Sequence, residues 1–412
     1  MGRDRKYLED FKGLYTGAVV SAHIAAYHRS LVSEFFQEHK ITFFIDPMTY
    51  VFGRNIEKIK KDDHLKKSFE KLVLAHADAG ILDISLNEKR SLSPSDFKKN
   101  EALDENILNK LSKSVLHFQK NLISKQKQTT LWELQELAGM SIEREIVKPL
   151  FLAAPYFFSE EYGDDWYKIS NKLAISSKKF KEKYDLFPVI CISKSLLQDD
   201  IIPKIIEDYQ GFDGFIVWVA DLNEVKADAK DLIQYKKFIL ALNKLSKPIY
   251  LLYGGYFSAI LSKEPLITYC SGICYGEIKD IDAPPVTGGG LMRYYIAAVH
   301  LKIPIEKARR FYVEYPHLLC NCKTCAEIRK NIKSKGIESV HKFFDLLESS
   351  DWHLKSHYVL TRYDELVKIS KSTKADLIEQ IKQNIAAQEK LKLQMFDINN
   401  RHLKNWVEAL QI

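Results

Sequence analysis

The chain has 412 residues, of which 46% are hydrophobic and 28% are charged, so a sizeable core and a solvated surface can coexist. This composition excludes wholesale disorder, a collagen-like repeat and a disulfide-stapled miniprotein, and no window approaches the ~18 uncharged apolar residues of a membrane span. Lys and Arg number 61 against 54 Asp and Glu, and the net charge of +7 permits a polyanionic partner without requiring one.

Short apolar runs of strand length recur along the chain and predict β-strands. They lie at residues 17–22, 41–47, 147–153, 187–193, 212–220, 248–253 and 266–275. Because these runs are almost continuously apolar, we expect strands that are buried on both faces, as in a parallel sheet. Amphipathic helical patterns separate several of them, at residues 29–39, 199–210 and 227–245.

The alternation of strands and helices at this spacing predicts βαβ units and an α/β fold. A closed (β/α)8 TIM-type barrel is the first interpretation, and an open doubly wound sheet is the second. The Gly-x-Gly-x-x-Gly loop of dinucleotide-binding sheets does not follow the first strand, which argues against that form of the second interpretation.

The number of cysteines and the first residues of the chain indicate the cellular compartment. Six cysteines are too few for a disulfide framework in a chain of 412 residues. Met1–Tyr7 carries charges, and no apolar segment of a secretory signal follows it. We therefore expect a cytoplasmic protein with reduced thiols. Cys191, Cys270 and Cys274 lie in apolar runs and are interpreted as buried small residues.

The other cysteines form a Cys-x-Cys-x-x-Cys pattern: Cys320, Cys322 and Cys325. Three thiolates this close can bind one Zn²⁺ ion, which prefers a tetrahedron and needs a fourth ligand. His353 or His357 could complete a Cys3His site, whereas His317 precedes the first cysteine with little chain to turn back. Four protein ligands leave no open position, so such a zinc would be structural.

Three regions are predicted along the chain. Residues 1–305 would form the barrel, interrupted near residues 56–146 by a polar, lysine-rich helical insertion whose apolar run at residues 79–83 suits a short strand. Residues 306–366 would form a zinc-binding subdomain with a closing helix, and residues 367–412 would form C-terminal helices.

A barrel of this length followed by Cys-x-Cys-x-x-Cys and a later histidine resembles the tRNA-guanine transglycosylase superfamily, over roughly residues 17–366. The closest similarity is to the divergent branch that inserts 7-deazaguanine bases into DNA. The resemblance implies a pentosyltransferase that exchanges guanine in nucleic acid for a 7-deazaguanine. It also implies structural zinc on the three cysteines and a histidine, for which His357 fits best and His353 second.

Members of the family use two carboxylates at the carboxyl ends of barrel strands. One is a general base that also binds the exchanged base, and the other is a nucleophile that attacks the ribosyl C1′. The resemblance assigns the first role to Asp46 and the second to Glu277, or next to Asp280. The family's Asp-Ser-Gly-Gly-Phe and Phe-Asp-Cys motifs are absent at these two places.

Candidate substrate-binding residues also follow from strand ends and aromatic side chains: Tyr50, Gly254, Gly255, Tyr256 and Trp218. Two consecutive glycines let the backbone approach a flat ligand closely. Aromatic side chains can stack on a purine-like base, although core packing is the common alternative for them.

The expected partners are nucleic acid and a 7-deazaguanine base, with no membrane. DNA is favoured over tRNA because the zinc motif is kept while the motifs of the tRNA enzymes are absent. Some family members work as heterodimers, so a dimer and protein partners of a modification system are also considered. Two other functions remain open: a non-catalytic, transglycosylase-like subunit that binds nucleic acid or a partner, and an unrelated barrel lyase or hydrolase stabilised by zinc.

Overall fold

The computed structural model describes residues 2–123, 146–272, 281, 292–332, 336–391 and 393–412. Within these ranges the protein is a mixed α/β structure that contains parallel strand pairs. The chain divides into two compact units, Met1–Leu196 with Pro203–Val219, and Leu197–Ile202 with Ala220–Ile412. Among the described residues, no helix is both long enough and apolar enough to cross a membrane.

The first unit contains short strands interleaved with helices. Its strands are β1 (Ala18–Ser21), β2 (Phe43–Asp46), β3 (Lys60–Lys61), β4 (His64–Leu65), β5 (Lys98–Lys99), β6 (Ala102–Leu103), β7 (Leu152–Ala153), β8 (Leu186–Phe187), β9 (Val189–Ile192) and β10 (Phe215–Val219). Its α-helices are α1 (Gly2–Asp10), α2 (Ala22–Tyr27), α3 (Arg29–His39), α4 (Lys67–Ala75), α5 (Asp83–Asn87), α6 (Glu105–Lys120), α7 (Asp165–Ser177) and most of α8 (Ile202–Tyr209). Its 3-10 helices are Thr49–Gly53, Ile56–Ile59, Ala77–Ala79, Pro94–Phe97 and Lys194–Leu196.

Parallel pairing joins the main strands of this unit in chain order. β1 pairs with β2, β7 with β8, and β9 with β10. The Leu150 amide donates to the Phe43 carbonyl (2.8 Å), which places the chain that enters β7 beside β2. Every residue of β2, β9 and β10 is buried. The prediction of parallel strands with two buried faces is therefore confirmed for β2 and for β7 to β10, whereas β1 is partly exposed, with Val19 37% exposed.

The predicted helical insertion is described over residues 56–123, where α4, α5 and α6 stand beside two antiparallel pairs, β3–β4 and β5–β6. The Asp104 carboxylate accepts from the Asn106 amide (2.8 Å) and so caps α6. The short strand suggested for residues 79–83 is wrong. Gly80 has φ of +73° and turns the chain there, and α5 begins at the end of the apolar run.

The second unit contains fewer strands and more helices. Its strands are β11 (Ile249–Leu252), β12 (Ile267–Cys270), β13 (Arg293–Ile296) and β14 (Leu301–Pro304). Its α-helices are α9 (Ala229–Asn243), α10 (Tyr256–Leu261), α11 (Ile305–Glu314), α12 (Lys323–Asn331), α13 (Ile337–Glu348), α14 (Asp351–Lys371), α15 (Lys374–Glu389) and α16 (Arg401–Gln411). Its 3-10 helices are Ala297–Val299, Pro316–Leu318 and Leu393–Phe396.

Two strand pairs organise this unit. β11 and β12 are parallel, with Leu251 opposite Tyr269, and the sequence predicts both. β13 and β14 form an antiparallel hairpin that the sequence analysis missed. A core cluster packs around this hairpin and α11 to α14, and it includes Cys322 and Cys325. The described residues after Cys325 form α-helices and one 3-10 helix, as predicted, whereas the division at residues 305 and 366 stays a prediction.

Candidate metal centre and candidate substrate residues

The three clustered cysteines lie where the chain enters α12. Cys322 is the N-cap of this helix, and the Ala326 amide donates to its carbonyl (2.9 Å). Cys325 is in the first turn, so the two side chains share one face of the helix. The Cys322 amide also donates to the Cys320 sulfur (3.3 Å), which turns the preceding residue back toward the same point. The Cys-x-x-Cys part of the motif therefore matches the first turn of a helix, which places both sulfurs on the same side.

The fourth member of the cluster comes from α14. The His357 Nε2–H donates to the Tyr295 carbonyl on β13 (2.8 Å). Its ring stacks on Tyr294, with centroids 4.2 Å apart and an interplanar angle of 10°. With Nε2 engaged by a carbonyl, Nδ1 is the nitrogen that faces the sulfurs. The backbone of one strand thus sets both the tautomer and the orientation of this ring.

The ligand atoms of Cys320, Cys322, Cys325 and His357 all lie within 4.8 Å of one another. The His357 Nδ1 is 3.5 Å from the Cys322 sulfur and 3.4 Å from the Cys325 sulfur. A tetrahedral zinc with its usual bond lengths, about 2.3 Å to sulfur and about 2.0 Å to nitrogen, separates a sulfur ligand from a nitrogen ligand by roughly 3.5 Å. The four residues therefore could hold a metal ion such as zinc, which matches the predicted donor set.

Hydrogen bonds inside the cluster shift the pKa values of three of its groups. Hydrogen bonds from Cys322 and Cys325 hold the pKa of the Cys320 thiol well below its usual value, whereas hydrogen bonds with Cys320 and Cys322 raise the pKa of the Cys325 thiol. Burial lowers the pKa of His357, but hydrogen bonds to the Cys320 and Cys322 sulfurs outweigh it and raise the pKa to about 9. A divalent cation would replace these protons, so metal uptake is expected to release them.

The other candidate histidines lie outside this cluster. The His353 Nδ1 is 2.9 Å from the Leu346 carbonyl, and the exposed His317 packs edge-on against Tyr315. Thr361, one helical turn after His357, was missed: its hydroxyl donates to the His357 carbonyl (2.7 Å) and lies 3.9 Å from the Cys320 sulfur. The four-residue spacing on α14 is a signal that could have revealed it.

Comparisons with known proteins leave the family of this chain open. No protein-family model matches the sequence, and no curated protein matches it either. The similarity to the transglycosylase superfamily therefore rests on the zinc motif and the strand pattern alone.

Asp46 is the last residue of β2, in the first unit, and the residue is only 1% exposed. Its Oδ1 accepts from the Met48 amide (3.0 Å) and from the Tyr156 hydroxyl (2.8 Å). The Thr49 hydroxyl donates to the Tyr156 carbonyl (2.6 Å) and accepts from the Tyr156 amide (2.8 Å). The loops after β2 and β7 are thus joined directly around the carboxylate.

Two predicted substrate-binding aromatics lie next to this carboxylate. Tyr50 stacks on Tyr156, with centroids 5.6 Å apart, and meets Trp218 edge-on at 5.0 Å. Tyr50 and Trp218 are each 3% exposed. Burial, and then the charge of Asp46, raise the pKa of Tyr50. The structure therefore brings Asp46, Tyr50 and Trp218 together at the carboxyl ends of parallel strands.

The paired glycines of the second unit lie next to the carboxylate of Glu224, which the sequence did not predict as a site residue. Glu224 accepts from the amides of Gly255 and Phe257 (both 2.9 Å) and from the amide of Ser258 (3.2 Å). A Cβ on Gly255 would lie 2.6 Å from Glu224, and one on Gly254 would lie 2.5 Å from the Ser258 Cβ. The glycines make room for these contacts, and no pattern in the sequence singles out Glu224.

The other predicted residues are Tyr256 and the two candidates for the nucleophile. Tyr256 is 6% exposed and stacks on His300, with centroids 3.6 Å apart. Glu277 and Asp280, the two candidates for the nucleophile, lie outside the described residues.

Proposed function

We propose that this protein is a base-exchange transglycosylase that replaces guanine in nucleic acid, DNA before tRNA, with a 7-deazaguanine. One observation carries the proposal: Asp46 lies at the carboxyl end of a buried parallel strand with Tyr50, Tyr156 and Trp218 around it. Flat aromatic faces suit a purine-like base, and a carboxylate held by a hydroxyl and an amide suits recognition of its N–H groups.

The fold that we propose for this activity is a (β/α)8 barrel. Its support is that the parallel strands of the first unit pair in chain order, without the reversal of order that an open doubly wound sheet needs. Barrel enzymes carry their active sites at the carboxyl ends of the strands, where Asp46 lies.

The proposed chemistry is covalent and proceeds in two displacements. A carboxylate oxygen forms a bond to C1′ while the C1′–N9 bond breaks, and guanine leaves with a proton. The 7-deazaguanine then attacks C1′, loses its N9 proton and displaces the carboxylate. We assign the handling of these protons to Asp46 and the nucleophile to Glu277 or Asp280.

Zinc would have a structural role in this protein. Cys320, Cys322, Cys325 and His357 would fill its coordination, and no ligand position would remain for substrate or water. The donor set matches the pattern of the superfamily, which supports the proposed relationship.

A base-exchange assay tests this proposal. The protein is incubated with radiolabelled guanine and, separately, duplex DNA, single-stranded DNA or bulk tRNA, and the label retained in the polymer is counted. Label should enter one polymer, Asp46→Asn should abolish the incorporation, and Asp78→Asn, a change at an exposed carboxylate of the same unit, should preserve it. Thermal melting of both variants shows whether the fold is kept.

A non-catalytic, transglycosylase-like subunit is the second candidate. The observation that favours it is that Asp46 is 1% exposed and already accepts two hydrogen bonds. Salt-dependent binding to DNA or RNA without incorporation of label into any polymer would support this alternative over the enzyme. Absence of both binding and exchange would favour an unrelated barrel enzyme.

A further inference from the structure

Four buried residues of the second unit and the half-buried Tyr269 form a polar cluster outside the metal ligands, called here the Arg362 cluster: Tyr269, Tyr295, His300, Arg362 and Glu365. Arg362 Nη1 donates to the Glu365 carboxylate (2.9 Å), and His300 Nδ1 is 2.8 Å from the same carboxylate. Arg362 is 5% exposed, Glu365 7% and His300 9%. Charged groups this deeply buried are stable only when their partners are held in place.

Tyr295 connects this cluster to the candidate metal centre. Its carbonyl accepts the Nε2–H of His357 (2.8 Å), while its hydroxyl lies 2.9 and 3.0 Å from the two oxygens of Glu365. His357, Arg362 and Glu365 all belong to α14. The same helix and the same β13 residue therefore position both the histidine ligand and the buried ion pair.

The Arg362 cluster also reaches the carboxyl ends of β11 and β12. Arg362 Nη2 donates to the hydroxyl of Tyr269, which belongs to β12 (2.6 Å). His300 stacks on Tyr256, the first residue of α10 after β11, with centroids 3.6 Å apart and an interplanar angle of 17°. Contacts between named residues thus run from His357, through the carbonyl and the hydroxyl of Tyr295, to Tyr269 on β12 and to Tyr256 after β11.

We propose that the metal site positions the carboxyl ends of β11 and β12 through the Arg362 cluster. Bound metal fixes the His357 ring, the ring fixes the Tyr295 backbone, and the Tyr295 hydroxyl completes the partners of Glu365. Because such coupling is reciprocal, changes in the cluster also weaken metal binding, although none of its residues contacts the metal. The inference does not depend on the transglycosylase activity.

Zinc affinity provides the first test. Tyr295→Phe removes the hydroxyl and keeps the carbonyl, and Glu365→Gln removes the charge and keeps the shape. Each should raise the Kd for zinc, measured by competition with a chromogenic chelator, by about 10-fold or more, as outer partners of metal ligands do. The matched control is Tyr235→Phe, which also removes a buried hydroxyl. This hydroxyl lies 3.0 Å from the Ser258 hydroxyl, and Tyr235 is not part of the Arg362 cluster.

Kd values for both variants equal to that of the control would overturn the proposal. Because a variant of the buried ion pair could lose its fold, hydrogen exchange of the wild-type protein supplies a second test. Removing zinc with a chelator should accelerate exchange in β12, including Tyr269, more than in α9 of the same unit. Equal acceleration in both elements would mean general loosening of the unit and would also overturn the proposal.

Discussion

Replacing Glu224 by Ala should destabilise the second unit by about 4 kcal/mol. The carboxylate accepts from three backbone amides, those of Gly255, Phe257 and Ser258, and from the Ser258 hydroxyl. Each buried donor left without a partner costs about 1–3 kcal/mol, so the amides alone account for roughly 3–9 kcal/mol. Removing a buried charge offsets part of that loss, and we therefore expect a value in the lower half of the range.

Urea unfolding measures this effect. The Trp406 indole donates to the Glu224 carbonyl (2.8 Å), so one of the five tryptophans whose fluorescence follows unfolding lies at the altered site. Glu389→Ala is the matched control, because that side chain is 64% exposed and its nearest cation, Lys404, is 3.7 Å away. Its unfolding should change by less than about 0.5 kcal/mol. A Glu224→Ala loss no greater than that of the control would refute the reasoning.

The pH dependence of the same variant checks the electrostatic part. Burial raises the pKa of Glu224, although hydrogen bonds from Ser258, Gly255 and Phe257 oppose the change. A raised pKa in the folded state means that this group contributes most below its unfolded pKa of ~4.3 and less as the pH rises through the folded value. The difference between wild type and variant should therefore be larger at pH 5 than at pH 8.

The other predictions concern the metal centre and Asp46. Cys322→Ser should reduce the zinc content from about one per chain toward zero, measured by mass spectrometry of the metal, and lower the Tm, whereas Cys191→Ser should retain the zinc. Zinc should bind more weakly as the pH falls from 9 to 6, because protons compete for His357, whose pKa is raised to about 9; a Kd independent of pH would contradict this. Tyr156→Phe, which removes the hydrogen bond to Asp46, should cost about 1.5–3 kcal/mol in urea unfolding, and an unchanged midpoint would contradict it.

Local patterns in the sequence predict those parts of the structure that depend on neighbouring residues. Continuous apolar runs locate β2, β9 and β10, because a strand buried on both faces has few polar positions. Likewise, Cys322 and Cys325 share a face because three residues make nearly one helical turn.

Features that depend on distant contacts could not be predicted in this way. Tyr295 meets His357 across 62 positions, and Glu224 meets Gly255 across 31. Neither pair produces a periodic pattern in the sequence. The sequence alone also does not distinguish a buried glutamate that binds backbone amides from an exposed one. The hairpin of β13 and β14 was missed because each strand has only four residues, and β13 does not alternate between apolar and polar positions.

The double hydrogen bond between Thr49 and Tyr156 has a consequence for access to Asp46. Thr49 takes the place of a strand partner by pairing with both the amide and the carbonyl of Tyr156, whose own hydroxyl binds Asp46. Two loops that are distant in sequence are therefore tied together at Thr49 and Tyr156, and separating them would break both of these hydrogen bonds. Movement of Tyr156 would also break its hydrogen bond to Asp46, so a change in either loop is expected to alter the surroundings of the carboxylate.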